Sequence, residues 1–303
     1  MPVRCWLLAA ALCTPLLAQA AEPAQCELVR FADVGWTDIT VTTAVTRHLL
    51  SELGYRTQVK RLSVPDTYKA LQDNRIDVFL GTWMPTSEPH IRPYLDSGAV
   101  ETVTANLTGA KYTLAVNQAA HEGGVKDFAD LARFSEEFGG KLYGIEPGND
   151  GNKLIQKMID KNAFGLGGFA LVESSESGML AQVKRADHLK QWAVFLGWAP
   201  HPMNNQLQMH YLAGGDDYFG PAYGGATVYT SVRKGYREQC PNVARLLHNL
   251  RFSLEMENHL MGAILNKNTN PRREAKAWLQ ANPETVATWL QGVNRRDGTA
   301  AIP

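Results

Sequence analysis

The sequence predicts an α/β protein built as two lobes, and three observations carry that expectation. Strand and helix signals alternate at the spacing of parallel βαβ units, first in residues 28–82 and again in residues 111–197. A short phrase recurs between the blocks: "DVFLGTWMP" at 77–85 and "AVFLGWAPH" at 193–201. Each copy runs through an apolar core, reaches a Gly and presents Trp83 or Trp198 shortly before a Pro. Finally, Cys26 lies beside the first strand and Cys240 in the last third of the chain. A bond between them would close a chain that starts in one lobe, crosses to a second and returns.

The elements follow in order. Leu28–Phe31 reads as a strand. After "GWTD", the apolar positions Ile39, Val41, Val45, Leu49, Leu50 and Leu53 repeat at helical spacing until Gly54 stops the helix. "TQVKRLSV" alternates as a strand, "PDTYKALQDN" reads as a helix with Pro65 near its start, and "IDVFLG" is a short buried strand. The second block supplies "YTLAVN", "FADLARFS", "KLYGIEP", "NDGNKLIQKMIDK", "FALVES", "SGMLAQVKRADHLK" and "QWAVFLG". The C-terminal segments "NVARLLHNL", "SLEMENHLMGAIL", "PRREAKAWLQA" and "PETVATWLQGV" are helical. Crossings between lobes fall near residues 110 and 225, giving lobe I as 22–110 plus 225–303 and lobe II as 111–224.

Composition bounds the function. The chain has 303 residues, 45% hydrophobic and 20% charged, which is room for two domains. Its formal net charge is zero, so no basic field points to nucleic acid. Residues 1–21 carry Arg4, an apolar run from Cys5 to Leu17 and small residues around Ala20, the pattern of a cleaved secretory signal peptide. The other reading of this segment is a buried N-terminal helix. A lipid anchor at Cys13 is disfavoured by Leu12 beside it. No later segment approaches ~18 uninterrupted apolar residues, so the exported chain is expected to be soluble in the periplasm.

Export leaves Cys26 and Cys240 as a disulfide or, in the alternative, two separate buried thiols. The loop they would close corresponds to ~5 kcal/mol on chain-entropy arguments. Without a CxxC or a His cluster at ligand spacing, neither a metal nor a cofactor is expected.

Two α/β blocks in an exported chain suggest a bilobed binding protein. In open α/β sheets ligands sit beyond the carboxyl ends of the strands, which is where Trp83 and Trp198 fall, one per lobe. Indole faces attract cations, and a quaternary ammonium, weakly hydrated and without a conventional donor, suits them well. Either Trp taken alone reads equally as core.

Five segments, "FADVGWTDIT" (31–40), "LSVPDTYKALQDNRIDVFLGTWMP" (62–85), "ANLTGAKYTLAV" (105–116), "IEPGNDGN" (145–152) and "VFLGWAPHPMN" (194–204), carry a family resemblance over roughly residues 26–290. The chain resembles the choline-binding proteins of bacterial ABC importers, within the glycine betaine-type substrate-binding family. The resemblance implies the type II bilobed periplasmic-binding-protein fold, an α/β architecture with the ligand cleft between hinged lobes. It also implies no enzymatic activity, a monomer, and a membrane permease as partner. By motif it places an aromatic box at Trp36, Trp83, Tyr112 and Trp198, with Asp38 and Asn149 holding the hydroxyl end of choline or a related quaternary ammonium compound. In some betaine-binding relatives the His of the last motif meets a carboxylate, which makes His201 a secondary candidate. Tyr218 and Tyr223 of "DDYFGPAYGG" are further candidates for the cleft wall.

Each position also has a structural reading. Asp38 sits at a helix start, where a carboxylate favours the helix dipole; as a ligand residue it would be ionised, with an ordinary pKa of about 3.9. Asn149 precedes a helical run and suits an N-cap. Tyr112 and His201 would equally serve the core. Asp38 beside the ligand's far end should penalise a carboxylate, favouring choline over glycine betaine or carnitine. An exported hydrolase is the remote alternative, with no G-x-S-x-G, H-E-x-x-H or catalytic Cys setting in its support. A sensor domain sharing the same site is a further reading.

Overall fold

The computed structural model describes residues 21–301. The signal-peptide reading of residues 1–21, with Cys5 and Cys13, therefore lies almost wholly outside the described residues. The described helices include none long and apolar enough to cross a membrane.

The chain opens with β1 (Leu28–Asp33), α1 (Thr37–Glu52), β2 (Arg56–Arg61), α2 (Val64–Gln72), β3 (Val78–Met84) and α3 (Glu88–Asp96). The long strand β4 (Val100–Asn117) leads through α4 (Gln118–Glu122) to β5 (Lys141–Tyr143), α5 (Asp150–Asp160), β6 (Ala170–Val172), α6 (Glu176–Leu189) and β7 (Val194–Ala199). Short pieces follow: α7 (Met203–Gln206), β8 (Met209–Tyr211), α8 (Asp216–Phe219) and α9 (Pro221–Gly224). Then come β9 (Gly225–Arg233), α10 (Tyr236–Gln239), α11 (Pro241–Asn249), α12 (Leu254–Lys267), α13 (Pro271–Ala281) and α14 (Pro283–Trp289).

The strands lie in the order β2-β1-β3-β9-β4-β7-β5-β6, with β8 added on β4. β1 runs parallel to β2 and β3, and β5 runs parallel to β6 and β7, as strand–helix alternation predicts. The centre of the sheet, where the two blocks meet, is different. β9 is antiparallel to β3 and β4, and β4 is antiparallel to β7. β4 is also far longer than the "YTLAVN" strand read from the sequence. Residues Val100–Lys111 pair with β9, and Lys111–Val116 pair with β7, so a single strand runs through both halves of the sheet.

Local chemistry explains the placement. β3 and β7 are buried along nearly their whole length, the unbroken apolar run of a strand covered on both faces. β2 alternates exposed and half-buried residues, with Arg56, Lys60 and Arg61 guarding an edge. α1 ends at Gly54, which takes the left-handed conformation at φ +90°. α2 starts on Ser63, whose side chain accepts the Asp66 N–H, with Pro65 in its first turn. Cys26 and Cys240 form a disulfide across 214 residues of sequence, fastening the start of β1 to the segment ahead of α11.

Candidate functional site

The carboxyl ends of β1, β3, β5 and β7 converge on one narrow cavity. Its wall is made by Trp36, Asp38, Trp83, Thr86, Tyr112, Ile145, Asn149, Asp150 and Trp198. Trp36 is the N-cap residue of α1 and Asp38 lies in its first turn, while Trp83 comes from the last residues of β3, Asn149 from the loop after β5, and Trp198 from the end of β7. Tyr112 stands directly opposite Trp198 in the β4–β7 ladder. The repeated phrase thus places one indole on each side of the cavity, and each strand turns there through a cis X-Pro bond, Met84–Pro85 and Ala199–Pro200.

The rings are set edge to face rather than packed flat. Tyr112 lies 6.0 Å from Trp83 at 57° and 6.4 Å from Trp198 at 72° between ring planes. Rings tilted in this way leave π-faces turned toward a common space. Polar bonds hold them. The Trp36 indole donates to Glu146 Oε1 at 2.7 Å, the Trp83 indole to Asp38 Oδ2 at 3.2 Å, and the Tyr112 hydroxyl to Asn149 Oδ1 at 2.7 Å. A side chain at Gly151 would collide with the Tyr112 phenol, its Cβ falling 2.2 Å from the oxygen, which accounts for the second Gly of "PGNDGN".

Asn149 is both an N-cap and a cavity residue. Its Oδ1 accepts the Gly151 and Asn152 N–H groups at 2.8 and 3.2 Å as well as the Tyr112 hydroxyl. Three donors on one oxygen fix the amide orientation and leave Nδ2, with one long bond of 3.4 Å to Glu146, as the group able to donate further.

Asp38 is 2% exposed, and its Oδ1 has no hydrogen-bond partner. No described Lys, Arg or His forms an ion pair with it. Burial, reinforced by the charge of Glu176, pushes its carboxyl up to about 8. Without a bound cation its carboxyl is thus held toward the protonated form, and the ionised Asp38 expected from the sequence is the form a cationic ligand would favour. Asp77 shows the contrast. It too is buried, yet Arg30 and Arg233 hold its carboxyl below the ordinary range against the cost of burial. Glu146, which accepts the Trp36 indole N–H behind the cavity wall, is raised as well, mainly by burial.

The structure puts Trp36, Asp38, Trp83, Tyr112, Asn149 and Trp198 around one space. The secondary candidates lie elsewhere. His201 is buried behind Trp198 and bonded to Glu176 at 3.2 Å. Tyr218 packs on Phe164, while Tyr223 is 46% exposed with the Lys111 ammonium 5.5 Å from its ring centre. The sequence reading passed over Thr86, Ile145, Asp150 and the supporting Glu146 and Glu176. Glu146 and Asp150 stand inside the quoted "IEPGNDGN", but nothing in their spacing shows that they face the first half of the sheet. Asp150 accepts the Ser87 hydroxyl at 2.7 Å and is bonded to His90, both from that half.

The chain matches the family model described as the substrate-binding domain of ABC-type glycine betaine transport systems over residues 27–281. It is similar to a solved ABC-transporter choline-binding protein in complex with choline. The two are 58% identical, with a TM-score of 0.91 covering 92% of this chain and 97% of that one. An ABC-transporter choline-binding protein in an unliganded semi-closed conformation shares 57% identity at a TM-score of 0.86, covering 92% and 96% of the two chains. An uncharacterized protein of Chromohalobacter salexigens, ORF1, is 48% identical over 147 residues, 48% of this chain and 95% of that protein.

Proposed function

The chain belongs to the substrate-binding family of ABC-type glycine betaine transport systems, a family of binding proteins rather than enzymes, and from that premise we propose that it captures choline. The observation that carries this reading is a buried carboxyl without a protein cation, enclosed by three indoles and a phenol. Aromatic faces receive the trimethylammonium group, and desolvation in the closed cavity strengthens the attraction. The hydroxyl of choline both donates and accepts. The unpartnered Asp38 Oδ1 is the acceptor it requires, and Asn149 Nδ2 the donor. Similarity to a choline complex at 58% identity supports the same assignment.

Glycine betaine is the second reading, favoured by the family description. Its carboxylate would replace the hydroxyl beside Asp38, Glu146 and Asp150, where no arginine or lysine lines the cavity. A carboxylate there either meets an ionised Asp38 as a like charge or holds Asp38 protonated, and in neither case does it find the cationic partner that a desolvated carboxylate needs.

Lobe I takes residues 22–110 and 225–303, and lobe II residues 111–224. The switch of β4 from β9 to β7 at Lys111 supports the first boundary, and the start of β9 at Gly225 supports the second. Choline binding brings the lobes together in the periplasm, and the closed form delivers its ligand to the membrane permease of the transporter. Closure follows because the ligand gains contacts from both lobes only in the closed state. Trp198→Ala removes a desolvated cation–π contact of about 2 kcal/mol, so choline affinity should fall about 30-fold by calorimetric titration. Affinity within about twofold of wild type would contradict a cage shared between lobes.

A further inference from the structure

Helix α1 carries two cage residues at its start and has no cap of its own. Trp36 occupies the N-cap position, and no side-chain bond caps the helix from within the turn. The acceptor comes from the other half of the protein. Glu176, 6% exposed at the start of α6, accepts the Thr37 N–H through Oε2 at 2.9 Å and the Thr37 hydroxyl through Oε1. A carboxylate there also complements the helix dipole.

Glu176 is itself held. His201, 1% exposed, uses Nδ1 to accept the Met203 N–H at 3.0 Å, which leaves Nε2 to carry the proton and donate to Glu176 Oε1 at 3.2 Å. Beside this grip, Glu146 accepts the Trp36 indole N–H at 2.7 Å. Two carboxylates of the second half therefore hold consecutive residues of the first, and Asp38 is the next residue along.

We propose that Glu176, oriented by His201, is a helix cap supplied across the cleft, so that closing the cleft and setting Trp36 and Asp38 for the ligand are a single event. Opening strips α1 of its cap and releases the "GWTD" turn; closing restores both. Glu176 and His201 are positioning residues, acting through residues 36–38 without touching the ligand. This inference rests on the choline reading above.

Stopped-flow tryptophan fluorescence with choline separates the possibilities, using wild type, Glu176→Gln, Glu176→Ala and His201→Ala of the exported chain. A bond to a charged group lost only in the closed state should speed choline dissociation at least about tenfold in Glu176→Ala, with association within about threefold of wild type. Glu176→Gln, which retains an acceptor oxygen, should lose about threefold or less, and His201→Ala should fall between the two. Exchange of the Thr37 amide should slow on choline addition in wild type and not in Glu176→Ala.

Dissociation within about twofold of wild type in Glu176→Ala overturns the proposal. Equal losses in the Gln and Ala variants, together with a lower melting temperature of the empty protein, also overturn it, because they mark a folding role. A wild-type protein that fails to bind choline removes the ligand reading itself and takes this inference with it. The wild-type titration thus tells the two failures apart.

Discussion

Asp38 is the residue on which ligand choice and pH dependence meet. Its carboxyl rises to about 8 through burial first and the Glu176 charge second, with Asp33 adding to the rise. Glu146, which holds the Trp36 indole, is raised mainly by burial, and Glu257 of α12 mainly by burial with the Asp38 charge adding to it. A bound cation favours the ionised carboxylate, so binding should release a proton near neutral pH. Choline affinity should then weaken by up to about 25-fold from pH 8.5 to 6.5, and calorimetry in buffers of different ionisation enthalpy should detect the released proton. An affinity flat across that range would contradict the assignment. The sign for stability runs the other way. The folded pKa lies above the unfolded value of about 3.9, so the stability contribution is complete below that value and is lost as pH rises through about 8. Asp38→Asn should therefore make the empty protein more resistant to urea above pH 8 while weakening choline binding.

At the scale of elements, the cage depends on how strands end and helices begin. Asn149 caps α5 with the oxygen that also receives the Tyr112 phenol, and its nitrogen, with one long bond to Glu146, is the donor we propose for the ligand. Asn149→Ala should lower the stability of the empty protein by about 1 kcal/mol through the lost cap and also weaken choline binding. Asn149→Ser retains a capping oxygen, so it should keep most of that stability and still bind about fivefold less tightly or worse. Urea melts and titrations of the two variants, compared side by side, check the separation. The same scale shows what was legible in the sequence. Trp83 and Trp198 stand where buried apolar strands end, so their convergence could be anticipated from the pattern, whereas Trp36, Tyr112 and Asn149 were placed by the resemblance of their motifs to a known family. β4 and β9 could not be. "VETVTANLTG" and "GATVYTSVR" mix Thr, Gly and charge, and their pairing is set by partners more than 100 residues away. Glu146 and Glu176 were missed because their roles are contacts across the cleft, which no local periodicity encodes.

For the whole molecule, one sheet joined through β4 sets two halves around a ligand, and a disulfide fixes one of them. Cys26 precedes β1 and Trp36 follows it, so the bond and the cage sit at opposite ends of a six-residue strand, about 20 Å apart. Reduction should lower stability by up to about 5 kcal/mol, read from urea midpoints with and without reductant, and leave choline affinity within about threefold. A larger loss of affinity would mean that the disulfide shapes the cage as well as the fold. The central claim is a cage for a cation with a hydroxyl tail, and its most direct test is calorimetric titration of residues 22–303 with choline and glycine betaine in parallel at pH 8. The account predicts tight choline binding with glycine betaine weak or undetectable. Preference for glycine betaine would keep the fold and the aromatic wall but contradict the role assigned to Asp38.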